Sequence, residues 1–323
     1  MKRLDNYWYS TNPVSLLLLP LSWLFRLIAT LRRFFYRTGL LTIHTLDVPV
    51  IVVGNISVGG TGKTPLTIWL VKQLQQAGYK PGIVSRGYGG KSHHWPQPVN
   101  ADSNPVKVGD EAILLAAHTA CPMVIDADRV AAAEMLLKNN DCNIIVSDDG
   151  LQHYALHRSI EIIVIDGARR FGNGQCLPAG PLREPISRLK KSDLIVVNGG
   201  QTLTGEHRMN LVPQKIVNLF DQSQQWSEQE TANIKIHALA GIGNPQRFFE
   251  TLEKMGFNLI KHVFPDHHPY RVGDIMFDDK LPVIMTEKDA VKCRSFAKQN
   301  HWFLTITAEI DNAVSKHVLK MLS

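Results

Sequence analysis

The chain has only four cysteines, Cys121, Cys142, Cys176 and Cys293, widely separated and with no C-x-x-C pair. In a chain of this length that excludes a disulfide framework and a cysteine-rich zinc site, leaving reduced thiols. The pairs His93-His94 and His267-His268 have no cysteine or further histidine at ligand spacing, so neither reads as a zinc site. A membrane-spanning run is also missing. The uncharged stretch 14–25 contains Pro20 and stops at Arg26, well short of the ~20 apolar residues a spanning helix needs. No small-residue cleavage site follows it, which argues against a secretory signal. Basic excess is scarce through most of the chain. The 35 Lys and Arg exceed the 29 Asp and Glu by +6, but Lys2, Arg3, Arg26, Arg32, Arg33 and Arg37 against Asp5 put +5 of it in residues 1–40. Residues 41–323 therefore carry only +1, which excludes an extended surface for nucleic acid.

What is present is a globular composition of 323 residues, 44% hydrophobic and 20% charged, which excludes disorder and leaves room for one large domain or two ordinary ones. The basic N-terminal forty residues also hold eight of the 25 aromatics. Leu24, Leu27, Ile28, Leu31 and Phe35 recur on one helical face with arginines alongside, the pattern of a helix lying in a lipid interface. The competing reading is a helix packed on its own domain.

Residues 48–53 form a continuous apolar, β-branched run, suited to a strand buried on both faces of a parallel sheet. Next come Gly54-Asn55-Ile56-Ser57-Val58-Gly59-Gly60-Thr61-Gly62-Lys63-Thr64-Pro65 and an amphipathic helix over 66–77. This matches the phosphate-binding pattern G-x-x-x-x-G-K-[ST], with Ser57 in place of its first glycine. Backbone amides of residues 57–64 are expected to cradle phosphates, Lys63 to reach the β- and γ-phosphates, and the Thr64 hydroxyl to ligate Mg²⁺. Strands at 80–85, 122–126, 142–147, 160–166 and 193–198 alternate with helices at 111–119 and 129–138, giving a doubly wound core of about six strands. The strand at 142–147 ends in Asp148-Asp149, acidic residues where a P-loop protein holds or orients Mg²⁺. Residues 91–108 read as a loop, and 199–230 as a linker or extended ribbon. A second αβ set, with strands at 234–240, 259–264, 281–286 and 302–306 and helices at 247–255 and from Asn312, suggests a smaller α/β domain. The expected division is 1–40, 41–200 and 201–323, with a cleft between the two α/β units. Gly241-Ile242-Gly243 is read as a strand-to-helix turn.

Taken together, the motifs at 52–65, S-R-G-Y-G-G at 85–90, G-D-E at 109–111, S-D-D-G-L-Q-H-Y at 147–154, D-G-A-R-R-F-G-N-G at 166–174, L-P-A-G-P-L-R-E at 177–184 and M-T-E-K-D-A-V-K-C at 285–293 resemble one family. It is the tetraacyldisaccharide 4'-kinase, or lipid A 4'-kinase, family of Gram-negative bacteria, and the resemblance spans nearly the whole chain. It implies transfer of the ATP γ-phosphoryl, with Mg²⁺, to the 4'-hydroxyl of a membrane-embedded tetraacyl glucosamine disaccharide 1-phosphate. The implied place is the cytoplasmic face of the inner membrane, held monotopically, with no protein partner evident. Carried over residue by residue, Asp110 of G-D-E and His267 of D-H-H-P-Y form a catalytic pair, and Asp148 and Asp149 serve the metal. Gln152 and His153 would line the site, Arg129 would hold phosphate or the catalytic loop, and Arg86, Arg169 and Arg170 are candidates for the 1-phosphate or sugar. Read without the resemblance, Asp110 serves as well as a helix cap and His267 as a surface-loop histidine. A GTPase switch is disfavoured, because N-K-x-D is absent and the lysine of T-E-K-D at 286–289 comes one place late.

Overall fold

The computed structural model describes residues 7–10, 12–92, 94–227, 231 and 233–323. Lys2, Arg3, Asp5 and His93 lie outside the described residues. Along the chain run α1 (Pro13–Leu17), α2 (Leu19–Arg37), β1 (Val50–Gly54), α3 (Lys63–Gln76), β2 (Pro81–Ser85), β3 (Gln97–Val99), α4 (Pro105–Val108) and α5 (Asp110–Thr119). Then come β4 (Met123–Ile125), α6 (Arg129–Asn139), β5 (Ile144–Asp148), β6 (Ile160–Asp166), β7 (Leu194–Asn198) and β8 (His207–Asn218). The remainder is β9 (Lys235–Ala240), α7 (Pro245–Lys254), β10 (Asn258–Val263), α8 (Val272–Ile275), β11 (Val283–Thr286), α9 (Glu287–Cys293), β12 (His301–Ile310) and α10 (Asn312–Leu322).

All twelve strands join one sheet in the order β10-β9-β11-β12-β8-β7-β6-β1-β5-β2-β4-β3. Its pairs are parallel except β8 with β12 and β3 with β4. The six strands expected for the core are β7, β6, β1, β5, β2 and β4, all parallel. Strand β1 shows why they read as unbroken apolar runs. Ile51 and Val53 face a core with Leu66, Leu70 and Leu74 of α3, while Val50 and Val52 face the opposite core with Ala132, Ala133 and Leu136 of α6. Both faces of the strand are covered, so neither can be polar. Full burial of each of those leucines stabilises the fold by ~1.5–3 kcal/mol relative to exposure. Val314 and Val318 of α10 join the α3 face of the core.

Two segments differ from the sequence reading. The loop at 91–108 contains β3 and α4, too short to leave a periodic signal. Within 199–230 lies β8, a 12-residue strand in which only Met209, Ile216 and Asn218 are buried. It pairs with β12 along its length and with β7 at its start. Ladder hydrogen bonds rather than apolar burial hold it in place, so alternation is faint.

The N-terminal helix is arranged against the usual sense. Ser15 and Ser22 are the buried positions of α1 and α2, and the Ser22 hydroxyl donates to the Cys176 carbonyl at 2.7 Å. Trp23, Leu24, Leu27, Ile28, Leu31, Phe34 and Phe35 are exposed, Trp23 at 62%. Arg32 and Arg33 turn inward, to the Gln152 carbonyl at 3.1 Å and to Glu184 at 3.6 Å. Among the described residues no helix is long and apolar enough to cross a membrane.

Candidate active site

In an open parallel sheet, ligands gather at the carboxyl ends of the strands, near the point where strand order reverses. Here β1 lies between β5 and β6, and a cavity of about 890 Å³ opens beside the loop that follows it. Its walls include residues 58–65, Glu111, Asp149, Asp166, Arg183, His267 and Lys288.

The loop between β1 and α3 is held from several sides. Asn55 Nδ2 donates to Thr61 Oγ1 at 3.2 Å, and Asn198 Nδ2, from the end of β7, donates to the Thr61 carbonyl at 3.1 Å. Gly62 adopts φ +100°, and a Cβ there would meet Asn198 Nδ2 at 2.6 Å, so only glycine fits. Arg169 braces the outside. Its Nη2 donates to the Gly60 carbonyl at 2.7 Å and to Asp166 Oδ2 at 2.9 Å, and its Nη1 reaches the Gly243 carbonyl at 3.4 Å. The Gly241–Gly243 turn thus abuts the loop, and a Cβ on Gly243 would meet the Gly60 nitrogen at 2.9 Å.

At the end of β5 two adjacent carboxylates have opposite environments. Asp148 is 1% exposed, and Thr67 Oγ1 of α3 donates to it at 2.9 Å. Burial, with Glu111 nearby, pushes its carboxyl up to about 7 despite the Lys63 ammonium. For Asp149 burial also acts upward, but Lys63 and Arg183 outweigh it and hold the carboxyl at about 2. The Lys63 ammonium lies 3.5 Å from Asp149 Oδ1, and Arg183 Nη1 donates to both Asp149 oxygens at 3.2 and 3.3 Å.

Across the cavity, Asp110 opens α5 and His267 sits in the loop after β10. Asp110 Oδ1 accepts from the adjacent Glu111 amide at 2.9 Å and lies 3.2 Å from His267 Nδ1. Gly109, not Asp110, occupies the N-cap position of α5 and no side chain caps that helix, so the cap reading of Asp110 does not hold, whereas its side chain does meet His267. Burial would raise the Asp110 pKa, but the His267 hydrogen bond and the Lys288 and Lys292 charges bring it down to about 2. His267 is not a free surface residue. Its backbone takes φ +59°, Tyr88 lies against its ring at 5.0 Å between centroids, and Lys288 reaches its Nε2 at 3.4 Å. Burial lowers its pKa, yet the bond to Asp110 wins and the net displacement is upward.

The remaining expected site residues, Arg86, Arg129, Gln152, His153 and Arg170, do not line this cavity. Arg129 is buried, with Nη1 donating to the Asp126 and Ala127 carbonyls and Nη2 to the Asp149 carbonyl at 3.2 Å, so it fastens the acidic turn. Gln152 Nε2 donates to the Asn55 carbonyl at 3.1 Å and to Glu184 at 3.0 Å, supporting the start of the loop from below. His153 lies 3.7 Å from Asp128, and burial and Arg129 push its pKa down to about 4. Arg170 is paired with Glu206, and Arg86 is exposed. Reading the sequence missed Arg183, Asn198, Lys288 and Lys292. The two lysines lie four residues apart in the M-T-E-K-D-A-V-K-C segment, at the start of a helix after an apolar strand, which was the available signal.

Comparison with known proteins identifies the family of the chain. The family model described as Tetraacyldisaccharide-1-P 4'-kinase matches residues 14–323. A tetraacyldisaccharide 4'-kinase of Nitrosococcus oceani is 50% identical over 316 residues, 98% of this chain and 93% of that protein. One from Methylobacillus flagellatus is 51% identical over 321 residues, 99% of this chain and 96% of that protein. Among solved structures, an "apo" form LpxK from Aquifex aeolicus in complex with ATP superimposes with a TM-score of 0.79 at 26% identity, covering 96% of this chain and 100% of that one. By sequence along its length and by the fold of its sheet, the chain belongs to the tetraacyldisaccharide-1-phosphate 4'-kinase family.

Proposed function

We propose that the residues around the cavity divide the labour of the family's reaction, transfer of the γ-phosphoryl of ATP to the 4'-hydroxyl of a tetraacyl disaccharide 1-phosphate in lipid A biosynthesis. A sugar hydroxyl is a weak nucleophile, and charge builds on the transferred oxygens. Positioning, positive charge and a proton acceptor must therefore come from the protein. Amides of residues 57–64 hold the ATP phosphates, and Lys63 meets the β- and γ-phosphates, giving up its contact to Asp149. Arg169 keeps the loop in shape through Gly60. Asp110 and His267 act as one unit that takes the hydroxyl proton. The observation that carries this reading is the 3.2 Å approach of Asp110 to His267, from distant elements, with His267 and Lys63 lining one cavity.

The donor set suits Mg²⁺. Thr64 offers a hydroxyl and Asp148 and Asp149 offer carboxylates, hard oxygen ligands of the kind that ion prefers. Held by these groups, Mg²⁺ would offset the negative charge of the ATP phosphates.

The substrate carries acyl chains, and the outward apolar face of α2 supports monotopic attachment to the cytoplasmic face of the inner membrane. An exposed patch of this kind marks a lipid or protein contact. The smaller unit at 201–323 has apolar clusters of its own around Phe249 and Tyr270, while Val314 and Val318 of the terminal helix pack back on the core of 41–200. His267 comes from the smaller unit and Asp110 from the core, so closure of one on the other completes the site. The test is incubation with labelled ATP, Mg²⁺ and the tetraacyl disaccharide 1-phosphate. Label on the disaccharide supports the reading; ATP hydrolysis independent of the acceptor contradicts it.

A further inference from the structure

The strongest feature outside the roles assigned so far is a pair of lysines on α9. Lys288 Nζ lies 2.8 Å from Glu111 Oε1, 3.2 Å from Asp266 Oδ1 and 3.4 Å from His267 Nε2. One helical turn on, Lys292 Nζ lies 3.4 Å from Asp110 Oδ2 and 3.0 Å from Asp289 Oδ1. The lysine side chains are 15% and 11% exposed, so both are well withdrawn from water. Each end of the Asp110–His267 pair therefore meets an ammonium group borne by the same short helix.

We infer that Lys288 is a positioning residue that fixes the tautomer of His267, with the proton on Nδ1 toward Asp110 and Nε2 bare. The argument is one of hydrogen-bond inventory. An ammonium has three donors and no acceptor, so a ring nitrogen that meets it must present a lone pair. Lys288 spends its three N–H groups on Glu111, Asp266 and His267 Nε2, and Nδ1 is left as the donor to Asp110 Oδ1. The other charged neighbours do not replace this contact. Asp266 Oδ1 lies 3.8 Å from Nε2, beyond hydrogen-bond reach, while Tyr88 lies against the ring at an interplanar angle of 58° and Lys292 faces Asp110. Asp289, which accepts from the Gly241 amide and from Thr286, anchors the first turn of α9 and with it the placement of Lys288.

The orientation has a chemical consequence. A histidine with Nδ1–H on a carboxylate and a lone pair at Nε2 can take a proton at Nε2 while the carboxylate steadies the imidazolium that forms. Doubly protonated, it would oppose the ammonium of Lys288 and could take no further proton. Lys288 therefore acts against the cationic form that Asp110 favours, consistent with the opposing effects of Asp110 and Lys288 on His267.

This inference rests on the Asp110–His267 reading above but has a readout of its own. In full-length protein labelled with ¹⁵N-histidine, long-range ¹⁵N–¹H spectra report which ring nitrogen carries the proton, and the His267 signals are those missing from His267→Gln. Wild type is expected to show Nδ1–H and bare Nε2 at neutral pH. In Lys288→Met, Nε2 should gain a proton, with the His267 pKa raised by about one unit or more for the loss of an adjacent charge. The acid limb of the kcat/KM profile should move to higher pH by the same amount. Lys288→Arg should keep the wild-type position of that limb even where kcat falls. A wild-type spectrum with protonated Nε2 overturns the inference, as does a Lys288→Met profile unmoved along the pH axis. If His267→Gln transfers phosphate normally, the pairing itself falls while the tautomer measurement stands apart from it.

Discussion

Replacing Asp110 by Asn tests the charge of this carboxylate, because the amide keeps the shape and loses the charge. The side chain is 4% exposed and its pKa is brought from 3.8 down to about 2. At ~1.36 kcal/mol per pKa unit this corresponds to about 2 kcal/mol of folding stability. The folded pKa is depressed, so that contribution is fully present above the unfolded value of 3.8 and is lost as pH falls toward the folded value of about 2. Urea titrations should show Asp110→Asn less stable than wild type by about 2 kcal/mol at pH 7, and the gap should narrow below about pH 4. Loss of a proton acceptor should lower kcat by ~10²–10⁴-fold. ATP affinity should change little, since the pair lies across the cavity from the 57–64 loop. An equally stable variant at pH 7, or one that transfers phosphate within a few-fold of wild type, would refute the reasoning.

Three further outcomes follow from other parts of the fold. Lys63→Met should reduce kcat by roughly 10²–10³-fold, measured by acceptor phosphorylation at saturating ATP, because a preorganised charge at the transferred group is lost. Leu70→Ala empties space beneath the sheet at a residue 1% exposed, and chemical denaturation should show a loss of ~2–5 kcal/mol. Leu27→Ser with Ile28→Ser changes only exposed positions of α2. It should weaken sedimentation with anionic vesicles at least about tenfold while leaving ATP turnover on a short-chain acceptor intact.

Much of the core was legible because its strands are covered on both faces. Val50 to Val53 have no solvent side, so the run is apolar throughout and marks its own strand. The loop after it was legible for a related reason, since Gly62 must leave room for Asn198 and no other residue can. Strand β8 was obscured because pairing with β12, not burial, sets its position. Arg183 escaped notice because its partner, Asp149, is 34 residues earlier in the chain, and nothing local marks an arginine as aimed at it. Gln152 and His153 sit in the same motif as Asp149, yet the chain turns there and Asp149 takes φ +50°. That turn sends Gln152 to the underside of the loop and His153 toward Asp128. Arg32 and Arg33 show the same limit. Helical periodicity places them beside the apolar face, but only the fold reveals Gln152 and Glu184 waiting on the inner side.

The central claim is that Asp110 and His267, supplied by separate parts of the sheet, act together on the acceptor opposite a phosphate loop at Lys63. Single-turnover transfer from ATP to the tetraacyl disaccharide 1-phosphate, compared between wild type and His267→Gln with nucleotide affinity measured in parallel, tests it most directly. The account predicts a transfer rate lower by at least ~10²-fold with ATP affinity unchanged. Transfer at the wild-type rate, or a loss explained wholly by weaker ATP binding, would contradict it.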